Sequence, residues 1–244
     1  MITAQSVKTQ IQSLIDQANA KTGGTDTDLT SAVGTLVAGY GQGESTENIV
    51  DITPLIGKVE FSSNALKTYT DDISLNLVNA ITIASIFDNK IIKFNKLSIT
   101  ISSICTTFQN AFRAASVTNN TYKNLKIIEI KGDTSGVTTF INAFTGRTDL
   151  EEIQGVLNFS SANSVTNTFN NCPKLIKIQM FKNSLSISCN LSSSPLLSNE
   201  SIQSIIDGLA TVETSQTLTL HADVKAKLTE EQLTTITSKN WTLA

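Results

Sequence analysis

Over the first forty residues the apolar positions recur every three to four places. Val7, Ile11, Leu14, Ile15 and Ala18 fall on one helix face, and Leu29, Val33, Leu36, Val37 and Tyr40 on another. Thr3 is placed to cap the first helix and Asp26 or Asp28 the second. Gly23-Gly24 divides them, and Gly39, Gly41 and Gly43 end the second. The pattern predicts a helical hairpin over residues 1–42. Two short helices enclose too little interior to be stable alone, so their stripes need a cover. Val7, Ile11, Leu14, Ile15, Leu29, Val33, Leu36 and Val37 are therefore the candidate anchoring or oligomer face. Its cover is either the rest of the chain, or further copies or a particle. Residues 41–50 (GQGESTENIV) are polar and Gly-containing, and residues 43–58 read as a linker.

From about Val59 the period shortens to two. Leu97, Ile99 and Ile101 alternate with polar residues, as do Leu185, Ile187 and Cys189, then Leu218 and Leu220. Such alternation marks strands with one buried face. A longer recurrence underlies it. Phe144, Leu150 and Ile153 return 25 residues later as Phe169, Leu175 and Ile178. Leu125 and Ile128 precede Leu150 and Ile153 by 25, and Phe87 precedes Phe112 by 25. The run AASVTNNTY accounts for a longer spacing after Phe112. Stacked units of this size place equivalent Phe, Leu and Ile side chains in columns, with Leu-x-x-Ile supplying a strand and the Phe segment a turn or short helix. Asn110, Asn142 and Asn167 sit two before each Phe, where Asn bonds turn backbone well.

The last quarter departs from this pattern. Ser198 or Asn199 caps a helix through Ile202, Ile205, Ile206 and Leu209, and Thr229-Glu230-Glu231-Gln232 is a capping-box pattern. Trp241 and Leu243 close the chain. The expected architecture is α+β: an N-terminal helical hairpin, a linker, then an irregular leucine-rich-repeat-like solenoid over 59–244 with about 25-residue repeats. Residues from about 195 to 244 form its C-terminal cap.

The 244 residues are 40% hydrophobic and 16% charged, enough apolar material for a core. The net charge is −3 and no Lys/Arg stripe occurs, so nucleic acid is not an expected partner. No run approaches the roughly 20 apolar residues of a membrane span, and no secretory signal is recognised at the start. Cys105, Cys172 and Cys189 form no CxxC pair and read first as small buried hydrophobes, with a disulfide between two of them as the alternative.

The Phe-x5-Leu-x2-Ile units resemble the irregular leucine-rich repeats of bacterial surface-antigen-type proteins. The ending SNESIQSIIDGL…LTLHADVKAKLTEEQLTTITSKNWTLA is similar to the terminal module of such proteins encoded in phages and prophages of Gram-positive gut bacteria. The opening QSVKTQIQSLIDQANA…GYGQG resembles a helical leader of phage structural proteins from those hosts. The resemblance implies a non-enzymatic virion protein, a tail-fibre or baseplate-type appendage that adheres to the host surface. Its partners would be other virion proteins, met through the N-terminal helices, and a host-surface glycan or protein. It would be a homo-oligomer, for example a trimer, on the virion surface. A capsid head-fibre or decoration protein is the alternative, and a bacterial surface adhesin or interaction module another. No catalytic residue, cofactor or metal follows from the resemblance.

Sharper chemistry is outweighed by simpler readings. His221, the only histidine, reads as a strand-end residue. Of the acidic pairs Asp71-Asp72, Glu151-Glu152 and Glu230-Glu231, the last suits the first turn of a helix, and the second a solvated strand edge. A glycosidase would need two carboxylates facing each other across a cleft. Asp26-x-Asp28 lacks the later ligands of a calcium loop. Asn158, Asn190 and Asn199 each begin an Asn-x-Ser acceptor pattern, expected by coincidence in an Asn/Ser-rich chain. Phe108, Phe112, Phe140 and Phe144 read as core rather than as a sugar-stacking platform.

Overall fold

The computed structural model describes residues 12, 15, 16, 48–51, 73–87, 95–114 and 125–244. Alternating Leu and Ile residues form six strands: β1 (Asn48–Asp51), β2 (Ile73–Asn76), β3 (Lys96–Ile101), β4 (Ile127–Gly132), β5 (Glu152–Leu157) and β6 (Lys177–Met180). They pair in parallel and in chain order as one sheet. Leu97, Ile99, Ile128, Ile130, Ile153 and Ile178 point inward and are buried. Ile128 lies opposite Ile153, so the 25-residue shift is a step across one strand spacing. β1 lies within the stretch read as a linker. A second sheet holds β7 (Cys189–Leu191), β8 (Gln216–Leu220) and β9 (Trp241–Leu243), again parallel and in order. Helices α1 (Asn199–Gly208), α2 (Ala222–Lys225) and α3 (Glu230–Ser238) connect and flank these strands.

Parallel strands require a return path, and here it is built from turns. Phe87, Phe112, Phe144 and Phe169 stack along it, with centroids 5.8, 5.4 and 5.8 Å apart and planes within 11°. A second row runs Phe108, Phe140, Phe159 at 5.2 and 4.6 Å. Such contacts contribute about 0.5–1.5 kcal/mol each beyond burial. Beside them, Thr82, Thr107, Thr139 and Ser164 form successive parallel bridges. Each hydroxyl accepts the N–H two residues on, at Ala84, Gln109, Ile141 and Thr166.

This architecture corrects the expected N-terminal helical hairpin followed by a leucine-rich-repeat-like solenoid. The described strands divide into two parallel sheets, and among the described residues, apart from the helical Gln12, Ile15 and Asp16, there are three helices, all after Ser198. Two physical causes are visible. Asn110, Asn142 and Asn167 hold the left-handed conformation (φ 56°, 53° and 54°), which closes a turn and cannot propagate as a right-handed helix. After β6, helix α1 takes the place a seventh strand would occupy. The Ile178 and Met180 N–H groups donate to the Ser201 and Ser204 hydroxyls of α1 at 3.0 and 2.9 Å. The edge of β6 is thereby closed by side chains, and the sheet ends there. The alternation at Leu185, Ile187 and Cys189 yields only a bridge from Leu185 to Leu209, and β7 begins at Cys189.

Of the expected hairpin, Gln12, Ile15 and Asp16 are described, and they are helical. Ile15 is 3% exposed and belongs to the hydrophobic core. Val7, Ile11, Leu14, Leu29, Val33, Leu36 and Val37 lie outside the described residues, as do Asp26, Asp28 and the Asp71-Asp72 pair. No helix among the described residues is long and apolar enough to cross a membrane.

Candidate functional site

The outer face of the first sheet carries the densest polar chemistry. Glu129 on β4 is 2.9 Å from Lys96 on β3 and 3.7 Å from Lys131, and it accepts the Ser98 hydroxyl. Burial opposes its ionisation, but that hydrogen bond and the two ammonium groups outweigh it and hold the carboxyl below its usual range. One strand on, Glu152 takes Gln154 Nε2 and Lys177 Nζ, both at 2.9 Å, and its pKa is lowered by those bonds in that order. Glu151 pairs with Lys126 at 3.1 Å, and Asp149 with Lys174 at 2.6 Å. The pair Glu151-Glu152 is thus divided between two lysines.

Between β5 and β6 the ladder is broken. Glu152 lies opposite Lys177 and Val156 opposite Gln179, so three residues of β5 face one of β6. Gly155 is the pivot, with φ 95°, and a Cβ there would lie 2.0 Å from the Ile130 carbonyl oxygen. The bulge opens a groove of about 350 Å³ between β5, β6 and the start of α1. Gln154, Gln179 and Lys177 line one side, Ser198 and Glu200 the other. The Ser198 side chain caps α1 by accepting the Ser201 N–H. Glu200 is held ionised by its own backbone N–H and then by the Ser198 hydroxyl. A wider, shallower hollow of about 610 Å³ lies between the end of β6, α1 and α3, where Gln232 donates to Gln203.

The other residues singled out from sequence have structural work. The His221 Nδ1 accepts the Asp223 N–H and caps α2. Glu230 and Glu231 sit in the first turn of α3, whose Thr229–Gln232 capping box is complete. Asn158 and Asn190 accept the N–H of Ser160 and Ser192, as Asp133 accepts that of Ser135, so the acceptor-like Asn-x-Ser spacing reflects a recurring Asx turn. Asn199 opens α1. Phe108, Phe112, Phe140 and Phe144 are all buried. Cys105, Cys172 and Cys189 are buried and unbridged. Burial pushes the Cys105 thiol up to about 11 and those of Cys172 and Cys189 up to about 12, so all three stay neutral. No group of three or more metal-ligating side chains occurs among the described residues.

The groove was not marked by any sequence motif. It exists because a bulge and a helix meet, and Gly155 within an otherwise alternating strand was the one available signal. Comparison with protein-family models, curated proteins and solved structures finds no match to this chain.

Proposed function

We propose that this chain is a non-enzymatic structural protein of a bacteriophage particle, an appendage that adheres to the host surface. The observation that carries the reading is the locking of polar groups across successive parallel strands. Glu129, Glu151, Glu152 and Asp149 are each held by lysines of a neighbouring strand or turn, which suits a stiff scaffold better than acid–base chemistry. Its edges expose Thr106, Thr138, Asn163, Thr166 and Asn190, uncharged groups suited to hydrogen bonding with a glycan or protein surface. The resemblance of both ends of the chain to phage structural proteins supports the virion context.

Anchoring falls to the N-terminal stripe of Val7, Ile11, Leu14, Leu29, Val33, Leu36 and Val37. Ile15 contributes inward, to the chain's own core. Several copies per particle would convert weak contacts into firm attachment through effective concentration. The test is to locate the chain on intact particles by antibody labelling and imaging, and to measure retention of the purified protein on host cells. Label on the particle surface with retention on cells supports the reading. Absence from particles, or turnover of wall polysaccharide by the protein, overturns it.

A further inference from the structure

The geometry points to the groove at the β5 bulge as a binding site for a neutral sugar unit of a surface polymer. This rests on the adhesive reading above and gives it a place and a ligand chemistry. Two observations converge. The cavity, about 350 Å³, falls within the range of small-ligand sites. It is opened by a bulge whose glycine cannot carry a side chain without displacing the Ile130 carbonyl. Bulges of this kind re-aim side chains beside binding sites.

The lining decides the ligand class. Glu152 and Glu200 bring two negative charges, and Lys177 one positive charge already engaged by Glu152. The positive end of α1 is occupied by its own acid, Glu200. An anion such as a phosphate or a uronate therefore meets a site of net negative charge. What remains is hydrogen-bonding capacity: carboxylate lone pairs beyond those taken by Lys177 and Gln154, the Gln179 amide, which both donates and accepts, and the Gln154 carbonyl oxygen and second N–H, its Nε2 already giving one bond to Glu152. A ring bearing several hydroxyls satisfies such a set. With no aromatic side chain lining the groove, affinity per site is expected near a Kd of about 1 mM, sufficient when copies act together.

The experiment is an amide-resolved NMR titration of the full chain. The neutral probes are methyl glucoside, methyl galactoside, rhamnose, N-acetylglucosamine and N-acetylgalactosamine. Glucuronate, inorganic phosphate and glucosamine serve as charged probes. At least one neutral sugar should shift the Gln154, Gly155, Gln179 and Glu200 amides. Those shifts should vanish in Gln179→Ala and in Glu200→Gln while the rest of each spectrum is unchanged. The proposal is overturned if no neutral sugar moves these amides, if only the anions do, or if only the cationic glucosamine does. Host-cell retention that survives both substitutions removes the groove from adhesion but leaves the adhesive function standing. Sugar binding by a chain that is absent from particles does the reverse.

Discussion

At the residue scale the least expected feature is a buried arginine. Arg147 is 1% exposed, and its guanidinium donates to the Phe112 carbonyl through Nε and to the Phe87 carbonyl through Nη2 at 3.1 Å. One side chain thus serves carbonyls of the two preceding turns of the phenylalanine column. On the next turn the buried Cys172 thiol donates to the Phe144 carbonyl at 3.2 Å. Replacing Arg147 by Met keeps the length and leaves buried acceptors unserved, at about 1–3 kcal/mol each. Arg147→Met is expected to lower the urea midpoint strongly, and Arg147→Lys to recover little, since an ammonium lacks the planar fork. Full recovery by Lys in equilibrium unfolding would show that charge alone matters. The column itself is legible in the sequence, because Phe recurs after 25 residues on either side of the longer step from Phe112 to Phe144; the arginine is not, because nothing in Thr-Gly-Arg-Thr distinguishes a buried polar residue from a solvated one. Glu129 supports a second prediction. Its folded pKa lies below the ordinary 4.5, so its contribution is complete above that value and is lost as pH falls through the folded pKa. The stability gap between wild type and Glu129→Gln should be widest near neutrality and close in acid. An equal gap in urea melts at both pH values would contradict the ion-pair account.

At the element scale the decisive event is the substitution of a helix for a strand. β6 presents the Ile178 and Met180 N–H groups at its outer edge, and α1 meets them with Ser201 and Ser204. Ser201 also donates to the Ile176 carbonyl at 3.0 Å. Its hydroxyl therefore mimics the peptide group of an absent strand, giving and accepting as a ladder neighbour would. The double change Ser201→Ala, Ser204→Ala should cost about 2–4 kcal/mol and speed hydrogen exchange at the Ile178 and Met180 amides before those of β4. Unchanged exchange at those two amides would rule out the edge-closing role. The helix is legible in the sequence through its Ser198 cap and the Ile202, Ile205, Ile206 stripe. Its consequence is not legible: two serines on a helix look like solvent-facing residues until a strand edge is laid beside them. The expected repeat architecture fails at this seam, and the groove opens at the same seam, so one junction accounts for both.

At the scale of the whole molecule, contacts run chiefly between successive strands, from β1 to β6 and again from β7 to β9, with α1 packed on β6 and α3 on β9. A chain of neighbours transmits a perturbation only as far as its couplings are strong. The coupling between the two sheets is carried by α1 and the residues that close it. Lys239, just after α3, donates to the Ile206, Asp207 and Leu209 carbonyls at 3.1, 3.3 and 2.6 Å and to Asn183 Oδ1 at 3.2 Å. It caps the negative end of α1 from a distant part of the sequence. Desolvation lowers its pKa, the expected sign for an ammonium drawn into a partly buried site. Trp241 adds an Nε1 hydrogen bond to the Ala210 carbonyl at 2.8 Å. Lys239→Met keeps the aliphatic stem and removes the donors, so it should destabilise α1 and the second sheet by about 2 kcal/mol. In hydrogen exchange this appears as roughly thirtyfold faster opening of α1, β8 and β9. The amides of β3 and β4, which α1 does not border, should keep their wild-type rates. Uniform acceleration across both sheets would mean instead that the described chain opens as one unit, with the phenylalanine column and the α1 closure acting as a single cooperative core.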